Sequence, residues 1–355
     1  MSNKSLPSLP PKFNFDQVAI LKQLNKANIA LAKLNATARF GLLPDPLLLI
    51  APLLARESVA SSGIENINTT VEQVFQMELL PEKKRTGAAK EVLHYRDAML
   101  EGFKVVQKKE LLTTNDIVRL QKIVEPTKSG IRKLPVSIKK EKTGEIIYEP
   151  PKGEKVLRDL LQNLEKYMHS EKDETDALLK VSVIHHQFEC IHPFLDGNGR
   201  VGRIIMILYL VLSKRIDYPI LFLSGYIEKN KGDYYSLLRV TSETGDYTEL
   251  LMYFLQGIEE QANNGVERLE KIQKLMANFR KKVPSTIKVQ HQELAECVFS
   301  RPLLTIDYIE SSFDLKARQT ASKYLRELVE AGLLEEEKIG KSKVFFSRPF
   351  LNLLS

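Results

Sequence analysis

One stretch of this 355-residue chain gathers the residue types that chemistry on phosphates needs: His192, Asp196, Gly197-Asn198-Gly199, Arg200 and Arg203. Glycines let backbone N–H groups approach an anion closely, and the start of a helix adds partial positive charge. Gly197-Asn198-Gly199-Arg200 precedes an apolar helical run, so it reads as a phosphate-binding nest. It lacks the order of a P-loop, which ends in Gly-Lys-Ser or Gly-Lys-Thr. Arg200 and Arg203 lie about one helical turn apart and can face the same phosphate tail. Asp196 borders the nest, where a carboxylate can hold Mg²⁺ shared with phosphate oxygens. His192 lies four residues before Asp196, in place for a general base. Phe194, between them, is expected to point inward and anchor the loop. Each piece has a plainer account: a structural His before Pro, a turn, an N-cap, two solvated arginines. A base, a metal ligand, a nest and two phosphate clamps within 12 residues make coincidence the weaker explanation.

Helices must position that loop. Period-3.6 patterns predict helices over 15–35, 54–59, 91–106, 115–124, 155–168, 176–189, 234–240, 247–260 and 261–279. Another begins near Thr69, where Thr70-Val71-Glu72-Gln73 has capping-box spacing. Residues 1–15 are Pro-rich and read as an extended arm, and Pro44, Pro46 and Pro52 punctuate the segment after the first helix. The run Ile204 to Leu212 is apolar all round and predicts a buried central helix. Val136, Ile138, Ile146 and Tyr148 alternate about a Lys142-Thr143-Gly144-Glu145 turn, which predicts a hairpin. Pro284 marks a boundary. Beyond it come a helix at 306–312, a turn, a helix at 317–331 stopped by Gly332, and strands at 333–338 and 343–346 around Gly340-Lys341-Ser342. That order is a winged helix-turn-helix.

The bulk properties set bounds. A 43% apolar, 27% charged composition suits a globular protein of two or three domains. Two cysteines, Cys190 and Cys297, make neither a disulfide framework nor a zinc site, so a reducing compartment is expected. No signal-peptide core opens the chain, and the longest apolar run is half a membrane span, so a cytoplasmic protein is expected. Net charge is +7; residues 266–355 hold 16 Lys or Arg against 12 Asp or Glu. That excess permits contact with nucleic acid or ATP and proves neither.

His-Pro-Phe-Leu-Asp-Gly-Asn-Gly-Arg-Val-Gly-Arg, residues 192–203, resembles the signature of the Fic family, HPFx(D/E)GNGRxxR, at every defined position. The resemblance covers roughly residues 10–260, and the tail resembles a winged helix often appended to such proteins. It implies a mainly α fold: a Fic-type helical bundle with a β-hairpin flap, plus a C-terminal winged helix-turn-helix domain. The domains are expected at 1–85 (N-terminal helices with an inhibitory motif), 86–260 (catalytic core), 261–284 (linker helix) and 285–355. The implied activity is protein adenylyltransfer, moving AMP from ATP to a Ser, Thr or Tyr hydroxyl of a target protein. His192 would deprotonate the hydroxyl, and Asp196 would hold Mg²⁺ on the α- and β-phosphates. The run Gly197, Asn198, Gly199, Arg200, Val201, Gly202 and Arg203 would bind the nucleotide. Arg200 and Arg203 would neutralise its outer phosphates. The flap, Val136, Ser137, Ile138 and Lys139, would align the target by strand addition. Tyr234-Tyr235 resembles a paired aromatic beside the nucleotide; the plainer alternative makes Tyr235 a core residue.

Ser61-Ser62-Gly63-Ile64-Glu65-Asn66 resembles the family's inhibitory motif, (S/T)xxxE(G/N). Ser61, Glu65 and Asn66 would then form a brake. Glu65 would pair with Arg203 in the place of the γ-phosphate, since one guanidinium cannot pair fully with both. Arg318, Gln319, Thr320 and Lys323 open the presumed recognition helix and could reach DNA, although protein contact or dimerisation would serve the tail equally. Two rival functions stay open: a DNA-binding regulator whose Fic domain senses nucleotide, and a Fic enzyme that removes AMP or moves another phosphate-linked group. Self-modification and a homodimer are expected partnerships, with no membrane.

Overall fold

The computed structural model describes residues 6–41, 47–139, 143–170, 174–339 and 342–355. It is mostly helical, as expected. The centre is α8 (Asn198–Leu212), whose residues Val201 to Val211 are all buried. Such a helix needs neighbours on every side, and α2 (Leu47–Ile64), α4 (Gly87–Lys109), α5 (Thr114–Val124) and α7 (Ala177–Ile191) supply them. Gly102 of α4 lets α8 come close: a Cβ there would lie 2.4 Å from Leu208 Cδ1. α1 (Val18–Gly41) lies along α11 (Thr248–Lys282), and α6 (Glu154–Met168) covers α7.

Local chemistry fixes several helix starts. Thr70 accepts from the Gln73 N–H and Gln73 reaches back to Thr70, so the capping box opens α3 (Val71–Glu78) as its spacing predicts. Thr113 and Asp116 do the same for α5, and Asp176 accepts from Leu178 N to start α7.

Two expectations need correction, and three helices come in addition. The short helix at 54–59 is the middle of the 18-residue α2, which carries Pro52 in its second turn and extends through Ser61. Packing decides this: Leu49, Ile50, Leu53, Leu54 and Ala55 are all buried, and tertiary burial outweighs the cost of one missing N–H. The helices at 247–260 and 261–279 are one 35-residue helix, α11, so no break separates core from linker. Its Gly257 and Gly265 serve close contact; a Cβ on Gly257 would lie 2.6 Å from Tyr226 Cδ1. Between Ile204–Leu212 and Tyr234 a further helix, α9 (Leu223–Lys229), precedes α10 (Lys231–Thr244). Two more flank the tail: α12 (His291–Ser300) and α15 (Arg348–Leu354).

Two hairpins complete the fold. β1 (Ile138–Lys139) pairs antiparallel with β2 (Ile146–Tyr148), Ile138 opposite Tyr148. The tail runs α12, α13 (Ile306–Ser312), α14 (Arg318–Glu330), then β3 (Glu335–Ile339) paired with β4 (Ser342–Phe346), Glu335 opposite Phe346. Lys142, Gly340 and Lys341 of the expected turns, and Pro44 and Pro46, lie outside the described residues.

Candidate active site

The site forms where α7 ends and α8 begins. A helix end leaves its last carbonyls without partners. Here each neighbour of the turn takes one. Phe188 O accepts from His192 N at 3.0 Å, and Cys190 O from the Tyr148 hydroxyl at 3.0 Å. Arg132, only 2% exposed, spans the rest. Its Nε donates to His192 O at 2.8 Å, Nη2 to Pro151 O at 2.7 Å, Nη1 to Leu134 O at 3.1 Å, and its backbone N–H to Pro193 O at 2.9 Å. His192 is thereby held in the left-handed conformation (φ 47°) as the C-cap of α7. Nothing in the sequence singles out Arg132, because its partners are all backbone oxygens. Arg132→Met is expected to lower unfolding free energy by about 2 kcal/mol or more, as several bonds from a charged donor are lost together. A urea-denaturation loss under about 0.5 kcal/mol would mean that those carbonyls are satisfied without it.

Phe194 is fully buried against Phe188, as expected, and anchors the loop. The Asn198 side chain closes it, accepting from Phe194 N and donating to Phe194 O, both at 2.9 Å. That amide is therefore committed to the loop. Gly197 (φ 82°) turns the chain into α8, and Val201 N is the first to bond back, to Gly197 O at 3.0 Å. The backbone N–H groups of Asn198, Gly199 and Arg200 are left at the helix start, which is the nest.

The two arginines keep different company. Arg200, 3% exposed, has Nη1 3.4 Å from Glu91 and Nη2 3.5 Å from Asp196 and 3.9 Å from Glu125. Arg203, 2% exposed, donates from Nε to Ser61 Oγ at 2.8 Å and from Nη2 to Ser61 O and Glu65 Oε1, both at 2.9 Å. Burial opposes the Arg203 charge, but Glu65 keeps its pKa above the ordinary value. Asp196 accepts from Gly197 N at 2.8 Å and meets Lys128 Nζ at 2.7 Å. Burial alone would raise its pKa; Lys128 and Arg200 bring it below the usual range.

Glu65 also bears on the nest. A Cβ built on Gly199 would lie 2.3 Å from Glu65 Oε1, so the carboxylate rests against the start of α8. Three contacts hold its segment there. Glu57, buried in α2, accepts from Ser224 N at 3.1 Å and from the Tyr95 hydroxyl at 3.3 Å, and the Ser224 hydroxyl makes a further short bond. Lys231 donates to Asn66 Oδ1 at 3.1 Å. The close pack of Glu228 on Gly63 adds the third.

Tyr234, not Tyr235, is the core member of the aromatic pair. It is 1% exposed with its hydroxyl 2.8 Å from His185 Nε2, whereas Tyr235 is 45% exposed. The flap joins the loop at its base, through the Ile131–Phe194 bridge and Tyr148. Val136 to Lys139 are half-buried or exposed.

Burial lowers the pKa of His192 to about 4, partly opposed by the Glu189 carbonyl, so the imidazole is neutral at pH 7. Burial likewise takes His185 to about 3 and His186 to about 4, and raises Glu57 to about 7 and Glu189 to about 8. The histidines stay neutral in the fold but bind protons below 6.5 when unfolded, so their contribution is lost as pH falls from 6.5 towards 4. The glutamates stay protonated in the fold but ionise above 4.5 when unfolded, so theirs is lost as pH rises from 4.5 towards 8. Thermal denaturation is expected to peak near pH 6.5, where the histidine loss ends and the glutamate loss continues. A Tm that stays flat between pH 6.5 and 8.5 would show that both glutamates already ionise in the fold near their ordinary value.

Known proteins resemble the chain in sequence and in fold. Residues 21–104 match the N-terminal domain of the Fic/DOC family and residues 111–210 the Fic/DOC family domain itself. The chain belongs to the Fic/DOC family. Residues 272–350 match the C-terminal domain of SoFic-like protein adenylyltransferases. A solved Fic family protein of Desulfovibrio desulfuricans G20 shares the fold with a TM-score of 0.61 at 18% identity, over 95% of this chain and 98% of that one. Fic-1 of C. elegans gives 0.52 at 19% identity, over 72% and 73%. A probable protein adenylyltransferase of Aquifex aeolicus is 34% identical over 88 residues, 25% of each chain. The protein adenylyltransferase Fic of Drosophila grimshawi is 27% identical over 210 residues, 56% of this chain and 40% of that one. The chain thus spans less than half the length of these curated relatives.

Proposed function

We propose that this protein is an adenylyltransferase that moves AMP from ATP to a hydroxyl of a target protein and is held largely off by Glu65. The observation that carries the reading is the junction of α7 and α8. There a neutral imidazole, a carboxylate, the three N–H groups of a helix start and two buried guanidiniums border one turn. The target hydroxyl attacks the α-phosphorus, its proton passes to His192, and the bond to the bridging oxygen breaks as pyrophosphate leaves. Polyphosphate near His192 raises its basicity from the buried value. The N–H groups of Asn198, Gly199 and Arg200 hold phosphate oxygens, and Arg200 and Arg203 offset the charge of the leaving group.

Asp196 fits Mg²⁺: it is a hard oxygen donor, partly exposed, beside a nest for the phosphates that would complete the coordination. Bound there, the ion would screen the charge of the phosphates. Lys128 must then give up its contact with Asp196.

The names of the relatives and the signature loop support AMP transfer over AMP removal. The flap presents β1 as an edge for strand addition by the target. The domains are assigned as 1–85 regulatory, 86–260 catalytic and 285–355 winged helix-turn-helix. Helix, helix, hairpin order and the Leu304–Phe345 bridge support the last assignment. In it Arg318 pairs with Asp307 and Glu310, and Lys323 with Glu327, which favours protein contact over DNA. Exposed Val18, Leu21 and Ile29 along α1 favour a homodimer. No described helix is long and apolar enough to cross a membrane, and a cytoplasmic location fits the two free cysteines.

The test is intact-mass spectrometry of the purified protein after Mg-ATP. An added AMP that vanishes in His192→Ala is the expected result. No AMP in any background, including Glu65→Gly, sinks the proposal. Label placed on the α- or γ-phosphate separates AMP transfer from phosphate transfer.

A further inference from the structure

Asp196 divides its two carboxylate oxygens between different partners. Oδ1 accepts from Gly197 N at 2.8 Å and lies 3.5 Å from Arg200 Nη2. Oδ2 meets Lys128 Nζ at 2.7 Å and has no other partner among the described residues. Oδ1 is thus built into the turn, and Oδ2 is the oxygen left for an incoming ion. Lys128 already sits on it.

The backbone holds the ammonium there. Gln121, 0% exposed in the last turn of α5, donates from Nε2 to Lys128 O and to Asp196 O, both at 3.1 Å. Its Oε1 accepts from Gly130 N at 2.9 Å. One buried side chain therefore ties the segment after α5 to the residue whose carboxylate Lys128 meets. Glu125 holds the start of that segment, accepting from Thr127 N at 3.2 Å. With the backbone fixed on both sides, opening the contact requires only the Lys128 stem to swing. The two side chains are 55% and 37% exposed, so the way out leads to solvent.

The surrounding charges sharpen the contest. Glu91 and Glu125 face Arg200, at 3.4 Å and 3.9 Å, and leave Asp196 to Lys128. A cation bound at Oδ2 has to displace an ammonium and stand near a guanidinium, with one carboxylate to gain. Mg²⁺ dehydrates reluctantly and is held in such sites by one or two carboxylates together with substrate phosphates.

We propose that Lys128 is a resident competitor of the divalent ion at Asp196 and so determines how much metal the site needs before nucleotide is held. The inference rests on the reading of the α7–α8 turn as a nucleotide site with Asp196 as its metal ligand.

ADP is the probe, titrated calorimetrically into the full chain carrying His192→Ala, over a series of Mg²⁺ concentrations at constant ionic strength. ADP lacks the third phosphate that Glu65 opposes, and the background lacks the proton acceptor for transfer. Affinity is expected to tighten as Mg²⁺ rises. Lys128→Ala is expected to lower the Mg²⁺ concentration at the midpoint of that rise about three- to fivefold, the range of a partly exposed ion pair. Lys128→Gln, which keeps much of the bulk and loses the charge, is expected to match it. In an Asp196→Asn background Lys128→Ala is expected to be silent, because the pair is already broken. A midpoint that Lys128→Ala leaves unchanged or raises, or shifts equally with Asp196→Asn, overturns the proposal. So does Lys128→Gln behaving like the parent, since bulk and not charge would then be at work. No transfer enters the measurement. Absence of AMP on the protein would sink the reaction proposed above and leave this shift in place, and an unmoved midpoint would leave the reaction in place.

Discussion

Replacing His192 by alanine is expected to cut AMP transfer by about 10²–10⁴-fold while leaving nucleotide affinity within a few-fold of the parent. The split follows from where the side chain stands. His192 caps α7, outside the N–H groups and guanidiniums that would hold phosphate, and its backbone is fixed by Arg132 whatever its side chain. Removing the ring deletes the proton acceptor and leaves the nest intact. Burial takes the free ring to about 4 and bound phosphate raises it from there, so the parent's rate should rise with pH above 4 and then level off. Single-turnover rates beside a fluorescent-nucleotide titration measure both quantities. A variant that loses affinity in step with rate would mean that His192 binds rather than accepts a proton.

Glu65→Gly is expected to raise self-modification by roughly tenfold or more, the rate equivalent of one charge-assisted hydrogen bond of about 1.5–3 kcal/mol. Glu65 is about a third exposed, so the lower end applies. The carboxylate holds Arg203 at 2.9 Å and lies against Gly199, so it occupies both a clamp and the mouth of the nest. Once it is gone, Arg203 keeps its two bonds to Ser61 and stays positioned, with Nη2 relieved of one acceptor. Glu65→Gln should give a smaller rise, since the amide keeps the bulk and loses the charge. The double variant with His192→Ala should be as inactive as His192→Ala alone. Equal initial rates for parent and Glu65→Gly would remove the brake.

The signature loop was legible because its chemistry is local: base, carboxylate, nest and arginines fall within 12 residues. The buried central helix and the Thr70 cap were legible for the same reason. What escaped depends on residues distant in sequence. Arg132 acts only through backbone oxygens, that of His192 lying 60 positions away, and no pattern marks it. Glu57 reads as one acid on a helix until Ser224 and Tyr95 are brought to it. Pro52 reads as punctuation, because a sequence shows its local cost and not the packing that outweighs it. Tyr234 and Tyr235 could not be assigned separately until their opposite burial was seen.

The unbroken run of α11 has a mechanical meaning. At 1.5 Å per residue its 35 residues make a rod of about 50 Å. Its first half lies on α1 and α9, and near its far end Phe279 stacks edge-on against Phe299 of the tail. Bending such a rod requires breaking several consecutive i→i−4 bonds, which a hinge of loop residues would not. A load placed on the tail would therefore reach the start of α11 through a lever of fixed length.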